Sequence, residues 1–352
     1  MKLKRRKTRV VKVANISIGG NSPISIQGMA KTETKNISAT VKQINQLKNI
    51  GAEIVRIAVK DMEDARAVKE IKKKTGIPLV ADIHFNYQFA IEAIKNGIDK
   101  IRLNPGNIYD ANQIKEVVAC AKEYKIPIRV GVNSGSLRKS SGSLVNSMVK
   151  SALDYIKTLE KLKFFDIVVS LKASEVQDTI SAYEKLAKLC DYPFHVGITA
   201  TGPLIPGTIK STFTIGSLLK EGIGDTIRVS LTSEPEDEIM VSKEILQSLG
   251  LRNFSPEIIS CPTCGRCQVD LIKIVNLIKN KVDNLPSKNG KLSAKKIAIM
   301  GCIVNGPGEA KQADMGIAFT RNLALVFKKG KVIKKTSQKD SIDFIVKQLE
   351  KG

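Results

Sequence analysis

Four of the six cysteines fall close together in the last third of the chain, at Cys261, Cys264, Cys267 and Cys302. The segment Cys261-Pro-Thr-Cys264 has the C-x₂-C spacing that binds zinc or an iron–sulfur cluster in many proteins. Clustered cysteines in a chain without a recognisable export signal indicate metal or redox chemistry rather than disulfides. By contrast, Cys120 and Cys190 stand alone in helical patterns, where we expect ordinary packing roles.

The surroundings of these cysteines leave both metals open. A zinc ribbon usually offers a second C-x₂-C pair, whereas Cys302 stands alone and both histidines lie far upstream. After Cys302, the turn Gly306-Pro307-Gly308 is expected to return Glu309 to the neighbourhood of that cysteine. A carboxylate is a weak, displaceable ligand that suits a catalytic cluster, although Glu309 also fits the first turn of a helix. The sequence therefore favours an iron–sulfur site and leaves a four-cysteine zinc site as the alternative.

Basic residues interrupt five apolar runs in the first two thirds of the chain, at Arg56, Arg102, Arg129, Lys172 and Arg228. A strand of a parallel sheet is buried on both faces and is normally almost wholly apolar. Polar side chains follow some of these cations at two-residue spacing, as Ser230 follows Arg228, which keeps each pair on one face of its strand. We therefore expect the cations to converge inside the fold.

Among the predicted strands, the only evident acidic counterpart of these cations is Asp82, with His84 two residues later. Because an unpaired buried charge is very costly, five cations against one carboxylate predict a bound anion. Guanidinium groups bind phosphate oxygens in a bidentate manner, so a diphosphate suits this set better than a single carboxylate. The alternative is that the cations pair with acids in loops or extend outward to solvent.

These side chains are carried by a repeated unit that consists of a short apolar run, a polar loop and an amphipathic helix. The eight runs span residues 24–29, 53–59, 78–83, 100–104, 127–132, 166–173, 194–200 and 225–231. Eight strands that alternate with helices predict an α/β fold, a (β/α)₈ TIM barrel, within residues 1–250. A doubly wound open sheet is the alternative, but it normally shows a glycine-rich fingerprint after its first strand.

The pattern changes after residue 250 to a strand, a cysteine turn, a helix, a second strand, a hairpin and a terminal helix. We expect residues 251–352 to form a small α+β iron–sulfur domain that serves the barrel. TIM barrels bind their ligands at the carboxyl ends of the strands, where the predicted cations and their polar neighbours would meet.

The composition gives a formal net charge of +23, from 57 basic and 34 acidic residues. The lysines are spread along the whole chain, tryptophan is absent and aromatic residues make up 5%. Platforms for base stacking are therefore scarce, and we expect no nucleic-acid partner. The charge would suit acidic partners and phosphorylated substrates. Neither a membrane-spanning run nor a signal peptide is evident, so we expect a cytoplasmic protein without a membrane partner.

Seven motifs occur in one order along the chain: VADIHF, IRLNPGN, RVGVN, SLKAS, GDTIRVSL, CPTCGR and GCIVNGPGEA. In this ordered set the sequence resembles the bacterial 4-hydroxy-3-methylbut-2-en-1-yl diphosphate synthase family of the methylerythritol phosphate pathway of isoprenoid synthesis. The resemblance implies a [4Fe–4S] cluster held by three cysteines and a glutamate. The matching positions are Cys261, Cys264, Cys302 and Glu309.

The resemblance also implies an iron–sulfur oxidoreductase that opens the ring of 2-C-methyl-D-erythritol 2,4-cyclodiphosphate with two electrons. It implies catalytic roles for Glu309, Thr199 and Asn133. The residues that would hold the diphosphate are Arg56, Arg102, Arg129, Lys172, Arg228 and Ser230. The expected partners are reduced ferredoxin or flavodoxin as electron donor, and a second copy of the chain in a homodimer whose site is shared between subunits.

Three departures from the family pattern limit this inference. The pattern T-E-A-G is Thr199-Ala200-Thr201-Gly202 here, so a glutamate expected near the reacting oxygen is missing. Cys267 stands where the family usually has no cysteine and is a candidate competitor of Glu309 as fourth ligand. Asn86 replaces a common aspartate. The alternatives are therefore a diverged iron–sulfur barrel enzyme on another phosphorylated substrate and, least favoured, a zinc-containing nucleic-acid-binding protein.

Overall fold

The computed structural model of the chain describes residues 3–137, 142–283, 296–304, 308, 311 and 313–350. The chain divides into two compact units, Met1–Arg252 and Asn253–Gly352. Among the described residues, every helix is too short or too polar to cross a membrane.

Eight parallel strands form the sheet of the first unit. They are preceded by the short strands β1 (Val11–Val13) and β2 (Ile16–Ile18), and they comprise β3 (Ser25–Met29), β4 (Ile54–Val59), β5 (Leu79–Ile83), β6 (Lys100–Leu103), β7 (Ile128–Asn133), β8 (Ile167–Lys172), β9 (His195–Val196) and β10 (Thr226–Ile227). The strand order is β8-β7-β6-β5-β4-β3-β10-β9. A parallel bridge between Val169 and Phe194 joins the two edges. The sheet is therefore a barrel, which confirms the predicted TIM-barrel fold.

Eight helices alternate with these strands, and each predicted strand is found within a few residues of its expected bounds. The helices are α1 (Ile37–Asn49), α2 (Met62–Thr75), α3 (Tyr87–Lys95), α4 (Ala111–Glu123), α5 (Leu144–Lys161), α6 (Val176–Ala187), α7 (Leu204–Lys220) and α8 (Pro235–Ser248). Side chains accept backbone hydrogen bonds at several helix starts, such as Asn36 at α1 and Asp61 at α2. Gly76 ends α2 with φ 59°, a left-handed conformation that glycine adopts at little cost. Cys120 is buried in α4, whereas Cys190 follows the end of α6 rather than lying in a helix.

The amino-terminal end of the barrel is closed by the antiparallel hairpin of β1 and β2. Its side chains pack against the first inward-facing residues of three barrel strands. This apolar plug consists of Val11, Val13, Ile18, Ile54, Val80 and Val168. The hairpin was not predicted from the sequence, and it leaves the carboxyl ends of the strands as the place for a site.

A five-stranded mixed sheet forms the second unit, with strand order β11-β12-β13-β14-β15. The strands are β11 (Glu257–Ser260), β12 (Lys296–Met300), β13 (Met315–Phe319), β14 (Ala324–Lys328) and β15 (Lys331–Thr336), and two helices, α9 (Leu271–Asp283) and α10 (Gln338–Glu350), accompany them. Residues of both helices and of the central strands share one core, including Ile278, Ile317 and Ile345. The predicted α+β class is confirmed, although β13 was not anticipated.

Candidate active site

A polar cavity of about 100 Å³ lies at the carboxyl ends of the barrel strands. It is lined by Arg56, Asp82, His84, Arg102, Arg129, Asn133, Ser170, Lys172, Thr199, Arg228 and Ser230. The structure thus brings together all eight barrel residues that the sequence proposed for substrate binding or catalysis. They come from six strands or the loops that follow them, as expected for a TIM-barrel site.

Two inward-facing glycines make room for the long cationic side chains. A Cβ atom on Gly131 would lie 2.4 Å from Nε of Arg102, and one on Gly197 would lie 2.9 Å from Nζ of Lys172. A larger residue at Gly131 would displace Arg102, and one at Gly197 would meet the backbone carbonyl oxygen of Arg228 at 2.3 Å as well as Lys172. The barrel interior is therefore shaped around Arg102 and Lys172 rather than filled with apolar side chains.

Asp82 is the acidic centre of the cavity. Its carboxylate accepts a hydrogen bond from Nη1 of Arg102 at 3.2 Å and lies 3.7 Å from Nη1 of Arg56 and 3.5 Å from Nε2 of His84. Burial alone would raise the pKa of Asp82, but Arg56, His84 and Arg102 together hold it well below its usual value. Asp82 is therefore ionised, and it is shared among more cations than it can neutralise.

A second buried carboxylate, on a helix, lies beside one of the cavity cations. Glu238, in the first turn of α8, is buried, and its Oε2 lies 3.6 Å from Nη2 of Arg228. Its Oε1 accepts the backbone N–H of Leu231 at 3.0 Å. Burial lowers the pKa of Arg228 to about 10, with a further contribution from Arg56. Arg228 therefore has an acidic partner, although in a helix rather than in a loop, and the sequence interpretation overlooked Glu238.

The remaining cations lack such partners within the part of the chain that the structure describes. Nη1 of Arg129 and Nζ of Lys172 are buried and make no hydrogen bond. Burial, together with the surrounding guanidinium groups, lowers the pKa of both side chains well below the usual values. A third cation of this kind, Lys100 at the start of β6, was not recognised from the sequence. Among the described residues in and beneath the cavity, six buried or largely buried basic side chains thus face two buried carboxylates, Asp82 and Glu238, which is the charge pattern of an anion-binding site.

His195 gives this barrel a predictable acid sensitivity. It is fully buried, and burial followed by the charges of Arg129 and Lys172 lowers its pKa well below 6.5. Between the folded and unfolded pKa values the unfolded chain binds one more proton. The free energy of unfolding should therefore fall by about 1.4 kcal/mol per pH unit as the pH drops below about 6.5. Urea unfolding of the wild type and His195→Gln between pH 7 and 5 measures this, and equal slopes would contradict it.

Cysteines follow two neighbouring strands of the sheet in the second unit. Cys261 directly follows β11, and Cys302 follows the neighbouring parallel strand β12. The backbone N–H of Gly301 donates to Sγ of Cys261 at 3.3 Å, which brings these two segments together. Cys264 is exposed, and the backbone N–H of Arg266 lowers the pKa of its thiol.

Not all of the expected cluster ligands can be placed. Glu309 and the preceding residues Gly306 and Pro307 lie outside the described residues. Within the described ranges, no three His, Cys, Asp or Glu side chains converge closely enough for a single metal ion. The expected ligands that the structure describes are Cys261, Cys264 and Cys302, in the segments that follow two neighbouring strands. The sulfur of Cys261 accepts a hydrogen bond from a backbone N–H.

Cys267 is oriented differently from the other three. Its Sγ donates to the carbonyl oxygen of Val269 at 3.2 Å and packs against the apolar core of the domain. A Cβ atom on Gly301 would lie 2.3 Å from this sulfur, so the thiol occupies the space beside that glycine. In this arrangement Cys267 has a structural role beneath the cysteine turn.

The other two departures from the family pattern have simple local descriptions. Asn86 accepts the backbone N–H of Gln88 and begins α3, a capping role that asparagine and aspartate share. Ala200 has φ 53°, so a non-glycine residue holds a left-handed conformation directly after Thr199. The backbone next to Thr199 therefore has a strained conformation at the residue where the family pattern has glutamate.

Comparison with known proteins gives consistent matches along the chain. Residues 8–243 match the family described as the GcpE TIM-barrel domain, and residues 257–351 match the GcpE protein C-terminal domain. A 4-hydroxy-3-methylbut-2-en-1-yl diphosphate synthase (flavodoxin) of Fusobacterium nucleatum subsp. nucleatum is 52% identical over 349 residues, which cover 98% of this chain and 97% of that protein. The enzyme of the same description from Ruminiclostridium cellulolyticum is 52% identical over 352 residues and covers 99% of this chain and 98% of its own.

The barrel also resembles solved structures of other enzymes in fold. Dihydropteroate synthase from Stenotrophomonas maltophilia superposes with a TM-score of 0.51 at 13% identity, covering 69% of this chain and 98% of that chain. At this identity the likeness concerns the fold alone.

Proposed function

Because this chain belongs to the GcpE family, we propose that it catalyses the reductive ring opening and dehydroxylation of 2-C-methyl-D-erythritol 2,4-cyclodiphosphate to 4-hydroxy-3-methylbut-2-enyl diphosphate. The observation that carries the proposal is the cavity in which unpaired buried cations meet at the barrel mouth. Relatives of that description share about half of their residues with this chain over nearly its full length. The protein is accordingly an iron–sulfur oxidoreductase of isoprenoid biosynthesis.

The charges of the reaction fit the charges of the cavity. A cyclic diphosphate carries one ionised oxygen on each phosphorus, whereas the open product gains a terminal phosphate with a further negative charge. Two electrons and one proton are consumed, the carbon–oxygen bond to the ring phosphate breaks, and the hydroxyl group leaves as water. Arg56, Arg102, Arg129, Lys172 and Arg228 bind the diphosphate and stabilise the charge that develops on the departing phosphate oxygen.

The donor set of the second unit is compatible with an iron–sulfur cluster. Thiols on adjacent strand ends and a backbone N–H that donates to sulfur are features of such sites. In our proposal Cys261, Cys264 and Cys302 hold a [4Fe–4S] cluster, with Glu309 as its fourth, displaceable ligand. When bound, the cluster would relay the two electrons of the reaction, one at a time, from the external donor to the substrate.

The remaining cavity residues orient the substrate. Ser230 lies on the same face as Arg228 and donates its hydroxyl proton to a phosphate oxygen. Asn133 and Thr199, which line the same cavity, position the sugar-derived hydroxyl groups. His84, whose Nε2 lies 3.5 Å from the carboxylate of Asp82, lines the same cavity.

An acidic electron carrier is the expected macromolecular partner. The two relatives are named for flavodoxin, so flavodoxin is the proposed donor and ferredoxin its alternative. A surplus of basic residues gives the surface the charge that favours association with such a carrier. We further propose a homodimer in which each active site is shared between subunits.

The test is anaerobic purification followed by iron and sulfide analysis and turnover of the cyclic diphosphate with reduced flavodoxin. Brown protein with about four irons per chain and product formation would support the proposal. Brown protein that binds but does not convert this substrate would favour a diverged enzyme for another phosphorylated compound. Colourless protein that contains zinc would contradict the cluster assignment.

Replacement of Ala200 tests what the missing glutamate contributed. Ala200→Glu places a carboxylate directly after Thr199, beside the expected position of the departing hydroxyl. A positioned acid typically contributes a factor of about 10²–10⁴, so we expect a clear change in kcat with a smaller change in KM. The pH profile of kcat should gain a group that titrates as a carboxylate. Ala200→Gln is the matched control, and identical kinetics of both variants and the wild type would show that another residue supplies the proton.

A further inference from the structure

A second layer of polar side chains lies inside the barrel, below the cavity. Its members come from the inner faces of β3, β6, β9 and β10, are all buried, and do not line the cavity. They are Ser25, Gln27, Lys100, His195 and Thr226. None of their side-chain nitrogen and oxygen atoms has a hydrogen-bond partner among the described residues. We call these five residues the lower polar layer.

The strand register places this layer at one level of the barrel. Thr226 of β10 pairs with His195 of β9 on one side and with Ser25 of β3 on the other. Lys100 approaches from the opposite part of the barrel, and its charge contributes to the low pKa of His195. Arg129, directly above, adds Nε and Nη1 atoms that also lack partners within the described structure.

This layer is closed from below by the apolar plug around Val11 and Ile18. Bulk solvent therefore does not explain so many unsatisfied donors, and a buried polar group without a partner costs free energy. Close-packed interiors satisfy such groups with protein atoms, ordered water or a bound ion. The unsatisfied donors of the lower polar layer are therefore available to an occupant.

The charge of the interior indicates what the occupant is. Around the cavity and the lower polar layer, six buried or largely buried basic side chains face the carboxylates of Asp82 and Glu238, an excess of four basic groups among the described residues. A cyclic diphosphate in the cavity carries two negative charges, so part of the excess remains even in the complex. The cation farthest from the cavity is Lys100, which a diphosphate at the strand ends does not contact.

We propose that the lower polar layer is a second anion site, which takes a halide-sized monovalent anion between Nζ of Lys100 and the guanidinium group of Arg129. His195 and Gln27 supply further N–H donors, and Ser25 and Thr226 supply hydroxyl donors. The anion neutralises Lys100 and holds Arg129 from below, so that its remaining nitrogen atoms face the cavity. The proposal depends on the interior charges alone and does not require a particular substrate.

The test uses crystals of the full chain soaked in sodium bromide, with diffraction at the bromine absorption edge. The expected result is an anomalous peak within hydrogen-bonding distance of Nζ of Lys100. Water molecules or an empty space at that position, without an anomalous peak, would overturn the proposal. This outcome leaves the proposed enzymatic activity untouched, because turnover is measured separately.

A solution measurement separates specific binding from binding at crystal concentration only. At constant ionic strength, bromide in place of a bulky organic anion should raise Tm of the wild type, because a ligand of the folded state stabilises it. Lys100→Met, which keeps the length of the side chain, should lose this rise. Lys69→Met, on the exposed face of α2, is the matched control and should keep it. A Tm that does not change with bromide, or an anomalous peak that persists in crystals of Lys100→Met, would refute the site. If Lys100→Met does not fold, the anomalous peak in wild-type crystals and its dependence on bromide concentration still test the proposal.

Discussion

Arg129→Ala should raise the dissociation constant of the cyclic diphosphate about 100-fold or more, while the iron content stays unchanged. Arg129 is buried and lines the cavity. The part of its guanidinium group that faces the cavity is therefore placed to bind the diphosphate. Truncation of one member of a buried charge pair costs about 2–5 kcal/mol, which corresponds to factors from tens to thousands in affinity.

The same substitution should not unfold the protein, which distinguishes binding from folding. A buried, uncompensated cation destabilises the free protein, and its low pKa has the same origin. Removal of the charge therefore offsets part of the loss of packing. Calorimetric titration with the diphosphate and thermal unfolding of the same samples measure the two effects. Arg66→Ala, on an exposed side chain of α2, is the matched control. Unchanged affinity in Arg129→Ala would refute the anion cavity.

The convergence of the barrel cations could be predicted because strand parity is a local property. Arg129 and Lys172 lie in largely apolar strands, and side chains of alternate residues point to the same face. A charged side chain on the inner face of such a strand lies in the barrel interior. The barrel itself follows from the regular alternation of strands and helices, so the fold and most of the cavity were accessible from the sequence.

The partners that lie outside the strands were not accessible in this way. Glu238 belongs to a run of acidic residues in the first turn of α8, a place where acids commonly occur for reasons of helix polarity. Only the packing of α8 against the barrel buries this one carboxylate beside Arg228. Lys100 is the first residue of its strand, where a lysine usually marks a solvated edge. Their roles depend on tertiary contacts that periodicity does not encode.

Two small elements were missed for a different reason. The hairpin of β1 and β2 has strands of three residues each, too short for an alternating pattern to stand out. The strand β13 follows a glycine-rich and polar stretch and is a short run, Met315–Phe319, without flanking turn signals. Both elements are stabilised by the cores they join rather than by local propensity.

Cys302→Ser should produce a protein with little iron and no measurable turnover of the cyclic diphosphate. Cys302 follows β12 beside the end of β11, so it is the residue that links the two strand ends in the proposed cluster site. A serine hydroxyl remains protonated at neutral pH and is a poor ligand where a thiolate is required. Iron and sulfide analysis, visible absorption and turnover measure the result. Cys190→Ser, in the barrel unit, is the control and should retain both iron and activity.

Cys267→Ser separates the two roles considered for the additional cysteine. The thiol of Cys267 donates to the carbonyl oxygen of Val269 and lies against Gly301 and the domain core. A serine hydroxyl can donate the same hydrogen bond, so we expect Cys267→Ser to keep its iron and its activity, in contrast to Cys302→Ser. The variant should also show an unchanged Mössbauer spectrum, because the iron ligands are the same. Loss of iron, or a spectrum that changes with this substitution, would show that Cys267 binds the cluster. Cys267 would then compete with Glu309 for the position of the fourth ligand.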